Sequence, residues 1–227
     1  MNRNDDRVIE GLKSQAALRR TEFADAQRLG WKSGFGTKVA MEAVGIQQPL
    51  VGFLTKASQV DSGDSVLVGD WTNPLFEAEV AVRIASELGP GASAAEAAAA
   101  IGGIAAAIEL VDLTPVNGVE EILAGNIFHR RVALGEFTPC EPDTLQGIEL
   151  LASINGEPAE PVDPRVLIGE IPLVIAALAD QLDLIGEAMS KNDVVITGAA
   201  IPPSPILPGQ QLEVSLSNGS RVSLQSR

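Results

Sequence analysis

Two glutamates, Glu77 and Glu79, interrupt the otherwise apolar run LFEAEVAV at residues 75–82. The run reads as a buried strand, in which side chains two apart share a face. Glu77 and Glu79 therefore project together, beside Ala81. Two carboxylates on one face repel, and burial makes their charge costlier still. A divalent cation removes the conflict, and hard oxygen ligands suit Mg²⁺, Mn²⁺ or Ca²⁺. A third carboxylate, Glu109, is similarly isolated between Ile108 and Leu110 in AIELVD. If residues 104–112 form a strand of the same sheet, the three converge. The competing reading of such a Glu-x-Glu pair is the solvent face of an edge strand, and spacing alone leaves both open.

Other residues have chemistry to offer. His129 is the only histidine and stands in FHRR beside Arg130 and Arg131. Its ring titrates near neutrality, and guanidinium groups bind carboxylates in bidentate fashion. A basic turn pairing with surface acids fits the same four residues. Lys32 follows Trp31 in the glycine-punctuated segment LGWKSGFGTK. That segment is not a phosphate loop, since Thr37 precedes Lys38 after the last glycine, and it is not GxGxxG either.

The elements that must position these groups follow from periodicity and punctuation. Residues 4–28 read as a surface-packed helix with apolar positions at Val8, Ile9, Leu12, Ala16, Ala17 and Phe23. The segment after it is expected to be turn-rich, followed by a short helix over 37–44 ended by Gly45. Residues 50–70 alternate short apolar runs with Gly, Ser and Asp, as strands and turns do. A strand spans 75–83. Ser93 and Glu96 form a capping box for a helix over 93–101. Gly102 and Gly103 suggest a break, so 104–112 is read as a buried strand, with continuation of the helix as the alternative. Asn155-Gly156, within LASINGEPA, and Asn218-Gly219 each predict a hairpin with a type I′ turn. Residues 171–183 form an amphipathic helix with Pro172 in its first turn. DVVITGA is a strand ending in Gly198, and the prolines of IPPSPILPG make a rigid loop. Many strands with a few helices, outside a regular βα alternation, predict an α+β fold.

Composition narrows the partners. The chain has 227 residues, enough for a sizeable core without disulfides, and its single cysteine, Cys140, leaves no intramolecular pairing. The net charge of −14 argues against nucleic acid as the main partner. No apolar run approaches a membrane span, and the charged start MNRNDDRVIE lacks the apolar core of a secretion signal. A reducing, cytoplasmic setting is expected.

LGWKSGFGTK, QQPLVGFL, FEAEVAV, AIELVD, LAGNIFHR, VVITGA and LPGQQLEVSL occur in one order and spacing. Together they resemble the fumarylacetoacetate hydrolase superfamily, in its branch of 2-oxopent-4-enoate (2-hydroxypentadienoate) hydratases and 4-oxalocrotonate decarboxylases. The resemblance runs from about residue 28 to the end. It implies a mixed, coiled β-sheet core of β-roll type with a few peripheral helices. The implied organisation is an N-terminal helical segment over 1–30 and a single catalytic domain over 31–227. It also implies a homo-oligomer and Mg²⁺ or Mn²⁺ held by Glu77, Glu79 and Glu109. Lys32 would be catalytic, and Asn126 matches a family asparagine that would either bind substrate or serve only the backbone. The family's small-residue segment after that asparagine is replaced here by Phe128, His129, Arg130 and Arg131, and the chemistry of FHRR itself offers His129 as a catalytic proton carrier and Arg130 for the substrate carboxylate. Thr197 and Gly198 would line the substrate pocket. The implied activity is that of a metal-dependent enzyme of aromatic catabolism. It would act on a small 2-oxo or 2-hydroxydienoic acid through a metal-bound enolate, first of all as a hydratase. Decarboxylation of the 4-oxalocrotonate type and acylpyruvate or fumarylacetoacetate-type C–C hydrolysis are alternatives. From another class comes a non-catalytic partner subunit that retains the fold. One departure bears on hydration: Leu50 stands where hydratases of this branch carry an acidic residue after the Gln-Pro step.

Overall fold

The computed structural model describes residues 5–158 and 162–227. The start of the expected N-terminal helix at residue 4, and the end of LASINGEPA at Ala159, lie outside the described residues.

The chain opens with α1 (Asp6–Glu22), capped by the Asp5 side chain, which accepts from the Arg7 amide. It continues through β1 (Arg28–Gly34), α2 (Lys38–Val44), β2 (Leu50–Thr55), β3 (Gln59–Val60), β4 (Ser65–Val66) and β5 (Pro74–Ile84). Next come α3 (Ala94–Ala100), β6 (Ile101–Asp112), α4 (Val119–Ala124), β7 (His129–Leu134) and β8 (Thr138–Pro139). The last third holds β9 (Leu150–Ile154), β10 (Glu157–Pro158), α5 (Arg165–Ile168), α6 (Ile171–Asp183), β11 (Val194–Ala199), β12 (Ser204–Pro205), β13 (Gln211–Leu216) and β14 (Arg221–Ser226). No helix among the described residues is long and apolar enough to cross a membrane.

Two sheets result. The larger runs β2-β1-β11-β5-β6-β7-β3, with β12 on β5 and β8 on β6. The smaller runs β10-β9-β13-β14-β4. The mixture of parallel and antiparallel pairs, with helices outside a regular alternation, is the expected α+β fold. One face of β5 and β6, with Val80, Val82, Ile104, Ile108 and Leu110, joins the main core with Leu178 and Leu182 of α6 and Val214 and Val222 of the smaller sheet. The opposite face belongs to a second, smaller cluster. It unites Leu54 of β2, Ile196 of β11, Ala81, Ala105 and Ala107 of β5 and β6, and Val132 of β7. Side chains from strands so far apart in the sheet order meet because the sheet curls into a half-barrel. Three alanines on the curled face leave room for that closure.

β2 is the outermost strand at its end of the larger sheet. Its outward backbone groups are taken up by buried side-chain amides. Gln15 of α1 donates to the Val51 carbonyl at 3.1 Å, and Gln181 of α6 accepts from the Val51 amide at 3.1 Å. Asn126 accepts from the Phe53 amide at 2.8 Å and donates to its carbonyl at 2.9 Å. An edge that would otherwise offer unpaired donors and acceptors is closed by three carboxamides.

Several expectations need correction. The N-terminal helix ends at Glu22, and the stretch expected to be turn-rich is instead the buried strand β1, which straddles the anticipated boundary at residues 30/31. Its glycines serve close approach. A Cβ at Gly30 would lie 1.9 Å from the Val194 carbonyl oxygen, and one at Gly34 would lie 2.7 Å from Ile127. Gly102 and Gly103 do not interrupt the chain, since β6 already begins at Ile101. Of the two readings of 104–112 the strand is correct. Burial on both faces had removed the alternation that distinguishes strand from helix. The Asn155-Gly156 turn has φ of 56° and 76°, as type I′ requires, but at the other hairpin only Gly219 is left-handed. There the Gly219 amide donates to the Leu216 carbonyl, and the Leu216 amide to that of Ser220. The loop is therefore a three-residue turn with a glycine bulge.

Gly30→Ala is expected to destabilise the protein by about 2 kcal/mol or more, because the added methyl overlaps the β11 backbone. Urea unfolding monitored by circular dichroism checks this. Ala at Gly147, where a Cβ would meet nothing within 4 Å, is the control and should change the midpoint little.

Candidate active site

The register of β5 on β6 sets Glu77 directly opposite Glu109, and Glu79 opposite Ala107. The three side chains therefore leave one face of the curled sheet. They bring one carboxylate oxygen each to within 4.8 Å of one another. This is the convergence expected from the sequence. Glu79 and Glu109 are fully buried, whereas Glu77 keeps some exposure. The Gly198 amide donates to Glu79 Oε2 at 2.8 Å from an irregular stretch of β11, where pairing with β5 shifts between Ile196 and Ala199. Glu79 Oε1 and Glu109 Oε2 are buried without a hydrogen-bond partner. Buried carboxylate oxygens are costly to leave bare. Two such orphans beside a third carboxylate are what a hard divalent cation fits.

Lys32 reaches the cluster from β1 and is itself 1% exposed. Its Nζ donates to Glu109 Oε1 and to the Ile127 carbonyl, the latter at 3.2 Å. Two local features make room for it. Opposite Lys32 on β2 stands Gly52, where a Cβ would meet Lys32 Cγ at 2.7 Å and Asn126 Oδ1 at 2.9 Å. The Ile127 carbonyl comes from a left-handed turn, with φ of 53°, 52° and 60° at Asn126, Ile127 and Phe128. Left-handed backbone costs an L-residue roughly 1–2 kcal/mol, so three in a row are held by their surroundings. The Asn126 clamp on Phe53 is one such restraint.

The charges are unequal in their settings. Burial, and then the charge of Glu109, push Glu77 up to about 7. Burial and both neighbouring glutamates push Glu79 well above the usual carboxylate range. Glu109 is the exception. Burial opposes its charge, but the Lys32 ammonium and the His129 hydrogen bond outweigh that and hold it below the ordinary value. Burial lowers His129. Its ring is neutral near pH 7, with Nδ1 donating to Glu109 Oε1 at 2.6 Å and Nε2 facing Ser58 Oγ at 2.9 Å.

A cavity of about 460 Å³ opens beside the cluster, with Lys32, Ser33, Glu77, Thr197 and Gly198 among its lining residues. Not every candidate reaches it. His129 stands behind Glu109 with both ring nitrogens occupied, and it is not among the residues that line the cavity. Arg130 extends outward to Asp112 at 3.2 Å, and Asn126 is consumed by the β2 edge. Asn126 thus serves the backbone, one of its two expected readings, and neither Asn126 nor Arg130 is among the residues that line the cavity. The Thr197 hydroxyl donates to the Val80 carbonyl at 2.9 Å, so Thr197 offers the cavity its backbone and methyl. Leu50 is wholly buried away from the cavity. The sequence reading missed the Ile127 carbonyl and the apolar wall. Leu75, Val111 and Leu113 line the cavity at the two-residue spacing of Glu77 and Glu109, so alternation could have found them. Leu167 and Ile168 arrive from α5 with no such signal.

Residues 24–225 match the family model for the fumarylacetoacetate (FAA) hydrolase C-terminal domain. Among curated proteins, a 4-oxalocrotonate decarboxylase of Pseudomonas sp is 22% identical over 204 residues, covering 88% of this chain and 79% of the relative. A 2-hydroxyhexa-2,4-dienoate hydratase of Comamonas testosteroni is 25% identical over 217 residues, covering 92% and 81%. Among solved structures, 4-oxalocrotonate decarboxylase from Pseudomonas putida G7, complexed with calcium and acetate, superposes with a TM-score of 0.88 at 25% identity, covering 96% of this chain and 85% of that one.

The raised Glu77 carboxyl predicts a pH dependence of stability in chelator-treated protein. Its ordinary value is 4.5 and its folded value about 7. Its contribution is therefore complete below about pH 4.5 and is lost as pH rises through about 7. Glu109, held low, acts oppositely and loses its contribution as pH falls below the ordinary value. Glu77→Gln should flatten the decline in stability between pH 5 and pH 7. Thermal melts of both proteins across that window check it, and parallel slopes would contradict the assignment.

Proposed function

The chain belongs to the fumarylacetoacetate hydrolase family, and from that premise we propose that it is a divalent-metal-dependent enzyme acting on a small 2-oxo or 2-hydroxydienoic acid, as a hydratase of the 2-oxopent-4-enoate type. The observation that carries the proposal is the group of three carboxylates with two orphaned oxygens, set beside a buried lysine on the wall of a cavity. Glu77, Glu79 and Glu109 would hold Mg²⁺ or Mn²⁺. Such an ion supplies Lewis acidity toward a 2-oxo oxygen and its adjacent carboxylate.

The chain's own groups supply the remainder. Lys32 brings a positive charge and transferable protons to the cavity wall. It orients an anionic head group and delivers a proton to the carbon chain of a dienol. Hydration consumes one water and returns no other product, so proton placement and water positioning are all that is required. The Ile127 carbonyl and Glu109 fix where the ammonium stands. His129, through its Nδ1 donor, fixes the orientation of Glu109 in turn. The Gly198 amide does the same for Glu79. The resemblance to a decarboxylase at a TM-score of 0.88 supports a second reading, loss of a carboxyl group from a 2-oxo diacid. Both readings need the same head-group site. A homo-oligomer and a cytoplasmic setting complete the proposal. The exposed apolar side chains of Val39, which itself lines the cavity, and of Val166, next to the cavity-lining Leu167, support assembly.

Two measurements test this. Calorimetry should show oxalate binding that requires Mg²⁺ or Mn²⁺ and disappears in Glu79→Ala, while the variant's far-ultraviolet circular dichroism is unchanged. Lys32→Met should lower turnover of 2-hydroxypenta-2,4-dienoate by roughly 10²- to 10⁴-fold, as loss of a positioned proton donor does. Its metal-dependent oxalate binding should persist. Oxalate binding by wild type that is indifferent to metal would remove the proposed site.

A further inference from the structure

The sheet opens just beyond Lys32. β1 runs parallel to β11 from Gly30↔Val194 to Lys32↔Ile196, and their pairing ends there. On its other side β11 slips against β5 between Ile196 and Ala199. Thr197 and Gly198 therefore stand at a gap, and the next residue of β1 is Ser33. That residue is 2% exposed. Its Oγ lies 3.8 Å from where a Cβ on Gly198 would stand, and 4.0 Å from one on Gly36. These two glycines line the cavity with Ser33 and offer its hydroxyl no side chain to bond.

Four buried side-chain oxygens among the described residues lack a hydrogen-bond partner. Glu79 Oε1 and Glu109 Oε2 belong to the carboxylate group, and Thr55 is not part of the cavity wall. The fourth is Ser33 Oγ. The wall holds three hydroxyl side chains, and the other two already have partners. Thr37 Oγ1 caps α2 by accepting from the Ala40 amide at 3.1 Å, and the Thr197 hydroxyl donates to the Val80 carbonyl. A buried hydroxyl left bare costs stability until something completes it.

We infer that Ser33 is a substrate-binding residue, its hydroxyl donating to the carboxylate of the 2-oxo or enol acid head group. The hydroxyl stands at the head-group end of the cavity, next in the chain to Lys32 and beside Gly198, whose amide holds Glu79. An ionised carboxylate only accepts, and an O–H donated to it makes one of the stronger hydrogen bonds. The inference rests on the proposed 2-oxo-acid site and adds a neutral donor to it. It also gives the hydroxyl opposite effects in the two states, a cost to the empty protein and a gain to the loaded one.

Ser33→Ala separates these effects. Calorimetry on the Mn²⁺-loaded protein should show oxalate and pyruvate binding the variant roughly ten- to a hundredfold more weakly than wild type. Its affinity for Mn²⁺ alone should be unchanged. The urea midpoint of the chelator-treated variant should equal or exceed that of wild type, because an unpaired hydroxyl has been removed. Undiminished binding of both acids overturns the inference and leaves the head-group site standing. A lowered midpoint also overturns it, since the hydroxyl then serves the fold. So does a loss of Mn²⁺ affinity that matches the loss of acid binding, since Ser33 then acts through the metal site and not on the substrate. If wild type binds neither acid with Mn²⁺ present, the 2-oxo-acid reading itself fails and the inference falls with it.

Discussion

Three carboxylates, two of them fully buried, gathered against one lysine form the constraint that the rest of the molecule accommodates. Charge of one sign in a low-dielectric setting must be neutralised by protons or by cations. The structure does some of each. Lys32 and the His129 hydrogen bond keep Glu109 ionised, whereas Glu77 and Glu79 are driven toward their protonated forms. One ammonium cannot balance three carboxylates, and two oxygens remain without any partner. That imbalance is a liability for folding alone. It becomes an asset when a divalent cation enters, since binding the folded state then returns free energy to the fold.

Placing the lysine absorbs much of the local design. A four-carbon stem must lie along the curled face of β1, and only glycine at position 52 leaves the space. The carbonyl that receives one of its protons comes from a turn in an unfavourable backbone conformation. That turn is fixed by Asn126, which also seals the β2 edge. Gln15 and Gln181 seal the rest of that edge from α1 and α6. The helices that pack against the outermost strand thus hold the strand that lies over the lysine. Strain at Asn126, Ile127 and Phe128 persists because neighbours on several elements require that geometry together.

What could be read beforehand follows from the range of each interaction. The glutamate triad was legible because a two-residue period and an isolated charge in an apolar run are local signals. Helix α2 with its Gly45 stop, and the capping box of α3, were legible for the same reason. β1 was not. Its glycines look like turn residues, and their use against the Val194 backbone and the Ile127 side chain is visible only once distant strands are adjacent. Asn126 was placed by resemblance to a motif and Arg130 by the chemistry of FHRR, but their partners, Phe53 and Asp112, are set by tertiary packing. The apolar wall divides likewise, with the strand residues periodic and Leu167 and Ile168 unforeseeable without the position of α5.

β5 and β6 carry two different tasks on their two faces, and the division explains their composition. Toward the main core they present Val80, Val82, Ile104, Ile108 and Leu110, whose burial supplies the hydrophobic stabilisation that an acidic cluster withdraws. Toward the curl they present alanines and glutamates. Bulkier residues at Ala81, Ala105 or Ala107 would fill the half-barrel and hold its strands apart. Fewer carboxylates would leave a polar cavity with nothing to grip an ion. Because neighbouring positions on a strand alternate between these faces, a one-residue slip of β5 against β6 would exchange them, placing carboxylates in the main core and valines at the site. The long, uninterrupted ladder from Pro74↔Asp112 to Arg83↔Gly103 is what forbids that slip. The pairing that stabilises the sheet is therefore the same pairing that sets Glu77 opposite Glu109.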